Sequence, residues 1–539
     1  MKALLAGLLI LVVAGCSRAP EAPRATAPEA AKVVSAAAGL PLGSGTPHAD
    51  TAVAWYKGDV DAAFSVAKAA NKPVFMYWGA VWCPPCNQVK ATVFNRHDFI
   101  ERSQYFVPVY VDGDKPGAQK TGARFKVSAY PTMILFRPDG SEIVRLPGEV
   151  DADQYMRVLA MGMNGARPVQ ETLRSAIGGS GHALTPEDWR MLAYYSWDTD
   201  EQQLVPKKEL PATLARLARS CPREQADTAT RLNLKALAAA ATARDAKARD
   251  DRAAVAQITP VLADPKLVRV NFDLVMYYAG ALAGHVTLPK SAARAELVTA
   301  WNAALVPLAA DASLSTADRL AAVAAEVDLA KLDAGKDPLP APLLGRVRNA
   351  VARADRETTD PYARQAVISA GADVLAEAGL LDESDKLLTD ELARSHSPYY
   401  FMLGLAANAK KRGDKAAAVD WAQKAYDASE GPATRLQWGG AYIRTLVELA
   451  PQDTARIEAA ATNVIAELPA GPDTFFERSR RSLEKIGRQL ATWNKDGKHN
   501  ASLARIRAQM AAVCTKLPAA DPARATCNGV LRPSAALET

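Results

Sequence analysis

The run Val74–Phe75–Met76–Tyr77–Trp78 leads, four residues on, into Trp82–Cys83–Pro84–Pro85–Cys86. Five consecutive apolar or aromatic residues bounded by Lys72–Pro73 and Gly79 read as a short, fully buried strand. A strand that delivers C-x-x-C to the start of a helix has a chemical consequence. A cysteine at the N-cap faces the positive end of the helix dipole and unpaired backbone amides, both of which favour the thiolate. The spacing therefore casts Cys83 as an exposed attacking thiol and Cys86, one turn inside, as the resolving one. Pro84 and Pro85 are compatible with the first turn, whose amides lack helical partners. The competing reading is half of a zinc site, which would call for a second cysteine or histidine pair at metal spacing; the sequence has none, and no metal or other cofactor is expected.

Working outward, Asp59–Ala70 has helical apolar spacing, and buried-type strands follow at Phe106–Val111 and Met133–Phe136. Pro138–Asp139–Gly140 turns the latter into Glu142–Leu146, and a helix from Asp151 to about Met161 closes the unit. With Trp82–Cys83–Pro84–Pro85–Cys86 and Tyr130–Pro131–Thr132 on the page, residues 51–166 resemble the thioredoxin superfamily. The likeness is to its extracytoplasmic branch, which includes the C-terminal domain of the transmembrane thiol:disulfide interchange protein. The resemblance implies that Tyr130–Pro131–Thr132 is a cis-proline loop lying against the cysteine pair, with Trp82, Pro84 and Pro85 supporting the site and Gly148 near it. It also implies disulfide-bearing client proteins as substrates. One departure is visible: where the family places a buried Asp six residues before the first cysteine, this chain has Tyr77, and the accompanying lysine is absent, with Pro108–Val109 in that region. Tyr77 reads as a core residue rather than a proton relay.

The N-terminus has its own signature. Met1–Lys2, an apolar run Ala3–Val13 and then Ala14–Gly15–Cys16 read as a secretory signal. The run is shorter than the ~20 apolar residues of a spanning helix. Val13–Ala14–Gly15–Cys16 resembles a bacterial lipobox, which implies that residues 1–16 are a lipoprotein-type signal ending at Cys16, the cysteine being acylated and becoming the new N-terminus; an ordinary cleaved signal is the alternative. Ser17 after the cysteine favours the outer membrane, on the periplasmic side. Residues 17–50, rich in Ala and Pro, read as a tether with a mean reach of about 30 Å.

From 167 to 539 strand patterns vanish and Ala, Leu, Arg and Glu recur at helical spacing. Thr185–Pro186–Glu187–Asp188 and Ser315 with Asp318 are helix-start signals. Gly379 and Gly413 stand 34 residues apart, each between two helical patterns. That period, with Ala418, Trp421, Ala425 and Tyr426, resembles the tetratricopeptide repeat over about 365–432. The expected fold is thus an α/β thioredoxin-like domain followed by an all-α, repeat-like region, an irregular bundle being the alternative. Such arrays bind proteins on a concave face.

Composition narrows the function. Apolar residues make up 49% and charged residues 23%, with a formal charge of +6 over 539 residues. No basic stripe with interleaved aromatics calls for nucleic acid, and Arg478–Ser479–Arg480–Arg481 reads as a solvated helix face. His97, His182, His285, His396 and His499 share no motif, and Gly178–Gly179–Ser180–Gly181 reads as a loop. Of six cysteines, Cys514 and Cys527 are close enough in sequence to form a structural disulfide in an oxidising compartment, and Cys221 reads as a buried, unreactive residue. Two functions fit. One is a membrane-tethered thiol–disulfide oxidoreductase, a reductase or isomerase recharged by a membrane electron donor, whose helical half positions clients. The other is a redox-sensing scaffold whose helical half binds a partner.

Overall fold

The computed structural model describes residues 52–531 apart from 128, 149–150, 166, 179–183, 198, 201–203 and 336. Cys16, the signal, the tether and His182 lie outside the described residues. The redox domain runs α1 (Val60–Ala70), β1 (Val74–Gly79), α2 (Pro84–Val89), α3 (His97–Ser103), β2 (Val107–Asp112), α4 (Ala118–Phe125), β3 (Thr132–Phe136), β4 (Glu142–Leu146) and α5 (Ala152–Met163). Sheet order is β2-β1-β3-β4, with β1 parallel to β2 and antiparallel to β3.

β1 is apolar throughout because it is central and covered on both faces. Its side chains alternate: Val74, Met76 and Trp78 join Ala63 and Ala67 of α1 and Ala118 of α4, while Phe75 and Tyr77 face Val89, Phe94, Phe99 and Leu159. The carboxylate of Asp59 caps α1 through the amide of Ala62, and Asp151 caps α5 through Gln154. One turn of π-helix, Lys90–Phe94, prolongs α2.

The rest is helical, from Val169–Gly178 to Pro522–Gly529. The capping box at Thr185 and Asp188 and the Ser315 cap both form. Gly379 and Gly413 lie in the left-handed region at φ +83, where a side chain would be strained, and each ends a helix. Consecutive helices pack on one another from Pro361–Glu377 through Leu381–Glu391, Pro398–Arg412 and Lys415–Ala428 to Pro432–Leu449, which also packs on Glu477–Trp493.

The core does not divide at residue 166. One cluster of buried apolar side chains runs from Phe75 and Cys83 through Trp438 and Ile443 to Leu531. Arg145 of β4, fully buried, spends its guanidinium on Glu142 and on the carbonyls of Lys126 and Thr199, so it ties the sheet edge to the start of the helical half.

Candidate active site

Cys83 is the N-cap of α2, with Pro84 and Pro85 in the first turn. Its sulfur is bonded to that of Cys86, with Cα atoms 5.2 Å apart. The amide of Cys86 points at Cys83 Sγ, 3.2 Å away. The buried Asn87, which sequence reasoning missed, holds the approach loop by donating to the carbonyls of Val81 (2.8 Å) and Cys83 (3.0 Å). The Tyr130–Pro131 bond is cis, and the Thr132 hydroxyl donates to the Ala129 carbonyl at 2.8 Å. Gly113 has no room for a Cβ because the Tyr130 hydroxyl occupies the space.

Tyr77 sits behind the pair, its hydroxyl 3.5 Å from the Cys86 carbonyl and its ring stacked on Tyr110. Burial, then the nearby Tyr110 and Asp112, pushes its pKa well above the ordinary tyrosine value. It therefore stays protonated and cannot accept a proton from Cys86. Lys90, four residues after Cys86, lies over the rings of Tyr110 and Tyr362, and burial lowers its pKa while Asp112 opposes that shift.

The expectation of an exposed attacking cysteine is overturned. Cys83 is 2% exposed and Cys86 fully buried, because the helical half lies across the redox face. Trp82 donates its indole N–H to Thr434 Oγ1 at 2.8 Å, stacks on Tyr400 and meets Trp438 edge-on at 4.7 Å. Its carbonyl accepts from Gln365 at 3.2 Å. Asp114 accepts from both the amide (2.8 Å) and the hydroxyl (2.6 Å) of Thr434. Burial raises the Asp114 carboxyl, and the Thr434 bonds partly offset this. Gln88 of α2 donates to Ser315 and to Asp318.

The reading of Arg478–Ser479–Arg480–Arg481 as a solvated face is likewise corrected for its first two residues, while Arg480 and Arg481 stay partly exposed. Arg478 lies over the rings of Tyr130 (4.6 Å) and Trp82 (5.4 Å), Ser479 is buried, and both amides donate to Gln119 of α4. A local charge pattern carries no sign of a surface such as that of Gln119, 359 residues away in sequence. His396 reaches the Val81 carbonyl at 3.2 Å, whereas His97 is exposed beside Glu101. Cys514 and Cys527 are joined by a disulfide, and Cys221 is buried, its thiol pushed up to about 11. Among the described residues no group of acidic, histidine and cysteine side chains is arranged to hold a metal.

The profile of the thioredoxin-like domain matches residues 60–162. Over 103 residues the chain is 29% identical to the thiol:disulfide interchange protein DsbD of Pseudomonas fluorescens, covering 18% of each protein. Over 91 residues it is 30% identical to the thioredoxin of Mycolicibacterium smegmatis, covering 17% of this chain and 79% of that one. Among solved structures, DsbH oxidoreductase aligns with 19% identity and a TM-score of 0.20, over 23% of this chain and 94% of that chain. The chain therefore spans less than a fifth of DsbD and most of a thioredoxin.

Proposed function

This chain belongs to the thioredoxin-like family, and we propose that the whole protein is a membrane-tethered, extracytoplasmic thiol–disulfide oxidoreductase acting as a reductase or isomerase. The carrying observation is the Cys83–Cys86 pair at a helix start, with one amide on the attacking sulfur and a cis-proline loop at Tyr130–Pro131. Cys83 thiolate attacks a client disulfide, one client sulfur leaves as thiolate, and a mixed disulfide forms. Cys86 then attacks Cys83 Sγ, releasing the second client thiol and leaving Cys83–Cys86 oxidised. Protons for the departing thiolates come from water, since Tyr77 holds its own. A membrane electron donor would restore the dithiol.

In this reading Cys16 carries lipid and residues 17–50 are the tether, on the periplasmic side of the envelope and at the outer membrane by Ser17. Acyl chains contribute about 0.8 kcal/mol per buried methylene. Among the described residues no helix is long and apolar enough to cross a membrane. The helical half, tetratricopeptide-like over 365–432, is the client- or partner-binding region. Its placement over Trp82 favours a second reading, a redox-sensing scaffold in which the state of the cysteine pair governs what the helices bind. Turnover separates them: dithiothreitol-driven insulin reduction by the full chain, absent in a Cys83→Ala/Cys86→Ala variant, supports the enzyme. Redox-dependent partner binding without turnover supports the scaffold.

A further inference from the structure

The corrected face of the Glu477–Trp493 helix continues past the redox contact. Arg478, Arg481, Lys485 and Arg488 follow one another at spacings of three, four and three, which places them on one side of the helix. Alongside runs the Pro432–Leu449 helix, carrying Arg444. Between them, and closed below by the Pro398–Arg412 helix, is a cavity of about 410 Å³. Arg444, Arg478, Arg481 and Lys485 line it together with Gln437 and Ser482, and no acidic residue does.

The charges are only partly compensated. Arg481 pairs with Glu477 at 3.0 Å and Arg478 donates to Gln437 at 2.8 Å. The charges acting on Lys485 are the guanidiniums of Arg444 and Arg488, which lower its pKa further after burial has done so. Burial lowers Arg478 and Arg481 as well, opposed by Tyr130 and Asp114 at Arg478 and by Glu484 at Arg481. Like charges three or four residues apart repel along a helix, and an anion seated among Arg444, Arg478, Arg481 and Lys485 relieves that repulsion.

We propose that this cavity is a binding site for a diphosphate-bearing ligand, either free pyrophosphate-type anions or the diphosphate headgroup of a lipid. Guanidinium forks and a lysine ammonium match phosphate oxygens, and Gln437 and Ser482 add neutral hydrogen-bonding groups. Charge density selects phosphate over carboxylate: two linked phosphates carry about three negative charges in a small volume, whereas carboxylates would need three separate groups. The site adjoins the redox centre, because Arg478 lines the cavity and also covers Tyr130 and Trp82.

The test uses the full chain, an Arg444→Gln/Lys485→Gln variant, Lys485→Gln alone, and Lys424→Gln as an exposed cation on another helix. Calorimetric titration with inorganic pyrophosphate at low salt examines the free anion. Co-sedimentation with phosphatidylcholine vesicles, with and without a prenyl diphosphate, examines the headgroup. Binding in either arm that falls by about tenfold or more in the double variant, by less in Lys485→Gln, and is kept by Lys424→Gln supports the site. Removing repulsion should leave the ligand-free Tm of the variants equal or higher, so lost binding would not reflect unfolding. No binding by the unaltered chain in either arm, undiminished binding by the double variant, or an equal loss in Lys424→Gln overturns the proposal.

Discussion

The indole N–H of Trp82 donates to the hydroxyl of Thr434, 352 positions later, at 2.8 Å, and the same hydroxyl donates to Asp114. A single threonine thus links the residue preceding the redox pair to the helices that cover it. Thr434→Val keeps the shape, removes both bonds and leaves a buried carboxylate short of a partner, a cost of about 1–3 kcal/mol. If dithiothreitol reaches Cys83–Cys86 through a transiently opened form, reduction scales with that form's population and should quicken about tenfold. Stopped-flow reduction followed by thiol trapping measures it. An unchanged rate would show that reduction does not pass through separation of the two halves.

The proposed roles of the cysteines rest on their positions along α2. Cys83 caps the helix and Cys86 lies a turn inside, fully buried. Cys83→Ser should abolish insulin reduction, and Cys86→Ala should accumulate mixed disulfides through Cys83. Alkylation of the reduced protein at mildly acidic pH that labels Cys86 first would reverse the assignment.

Local features were legible in the sequence because local physics sets them. The β1 run, the helix starts at Asp59 and Asp151, the Pro138–Asp139–Gly140 turn and the glycine stops at Gly379 and Gly413 all sit within a residue or two of where pattern placed them. What escaped is the cover over the redox face. Thr434, Gln365, Tyr400 and Arg478 belong to four separate helices, and each looks unremarkable in its own window. Only the packed arrangement brings them to Trp82 and Tyr130. Arg478 departs from its local pattern for that reason: a guanidinium on a charged helix is ordinarily solvated, but here two aromatic faces receive it.

Asp318 gives the interface a pH dependence. Its buried carboxylate accepts from Ser315 (2.7 Å), Gln88 (3.0 Å) and Tyr277 (3.1 Å). Burial raises its pKa above the ordinary aspartate value, and the hydrogen bonds offset only part of that. The folded chain therefore keeps this proton to higher pH than the unfolded chain does. The contribution is fully present below about pH 4 and is lost as pH rises through the elevated folded pKa. Asp318→Asn removes the titration, so the Tm of the variant relative to the unaltered chain should rise with pH. A difference that stays flat or falls would contradict this.

The Cys514–Cys527 bridge joins the Asn500–Thr515 and Pro522–Gly529 helices across a sequence separation of 13. Closing a loop of that size stabilises by about 3 kcal/mol in the chain-entropy model. Both sulfurs are buried in the continuous core. Cys514→Ala/Cys527→Ala should lower Tm by several degrees while leaving insulin reduction in place. Non-reducing peptide mapping that finds two free thiols in the purified protein would remove the basis for it.

The direction of electron flow is the last prediction, and it rests on how few donors face Cys83. A strong oxidant of this fold holds its first cysteine as a much-stabilised thiolate, which makes the reduced state favourable. Here Pro84 and Pro85 have no N–H, and the amide of Cys86 is the donor on the sulfur, at 3.2 Å. The helix start still contributes its partial positive charge, so the thiolate is favoured moderately. Each hydrogen bond forgone shifts a two-electron couple by some tens of millivolts, since tenfold in equilibrium is about 30 mV. The domain should therefore sit with the reductants and isomerases. Equilibration against a glutathione series should return a potential near about −200 mV or below, whereas a value near roughly −120 mV would make it an oxidant. Replacing Pro84 with Gly restores one amide beside the sulfur and should move the potential upward. A downward move would show that proline acts on the disulfide by some route other than the missing donor.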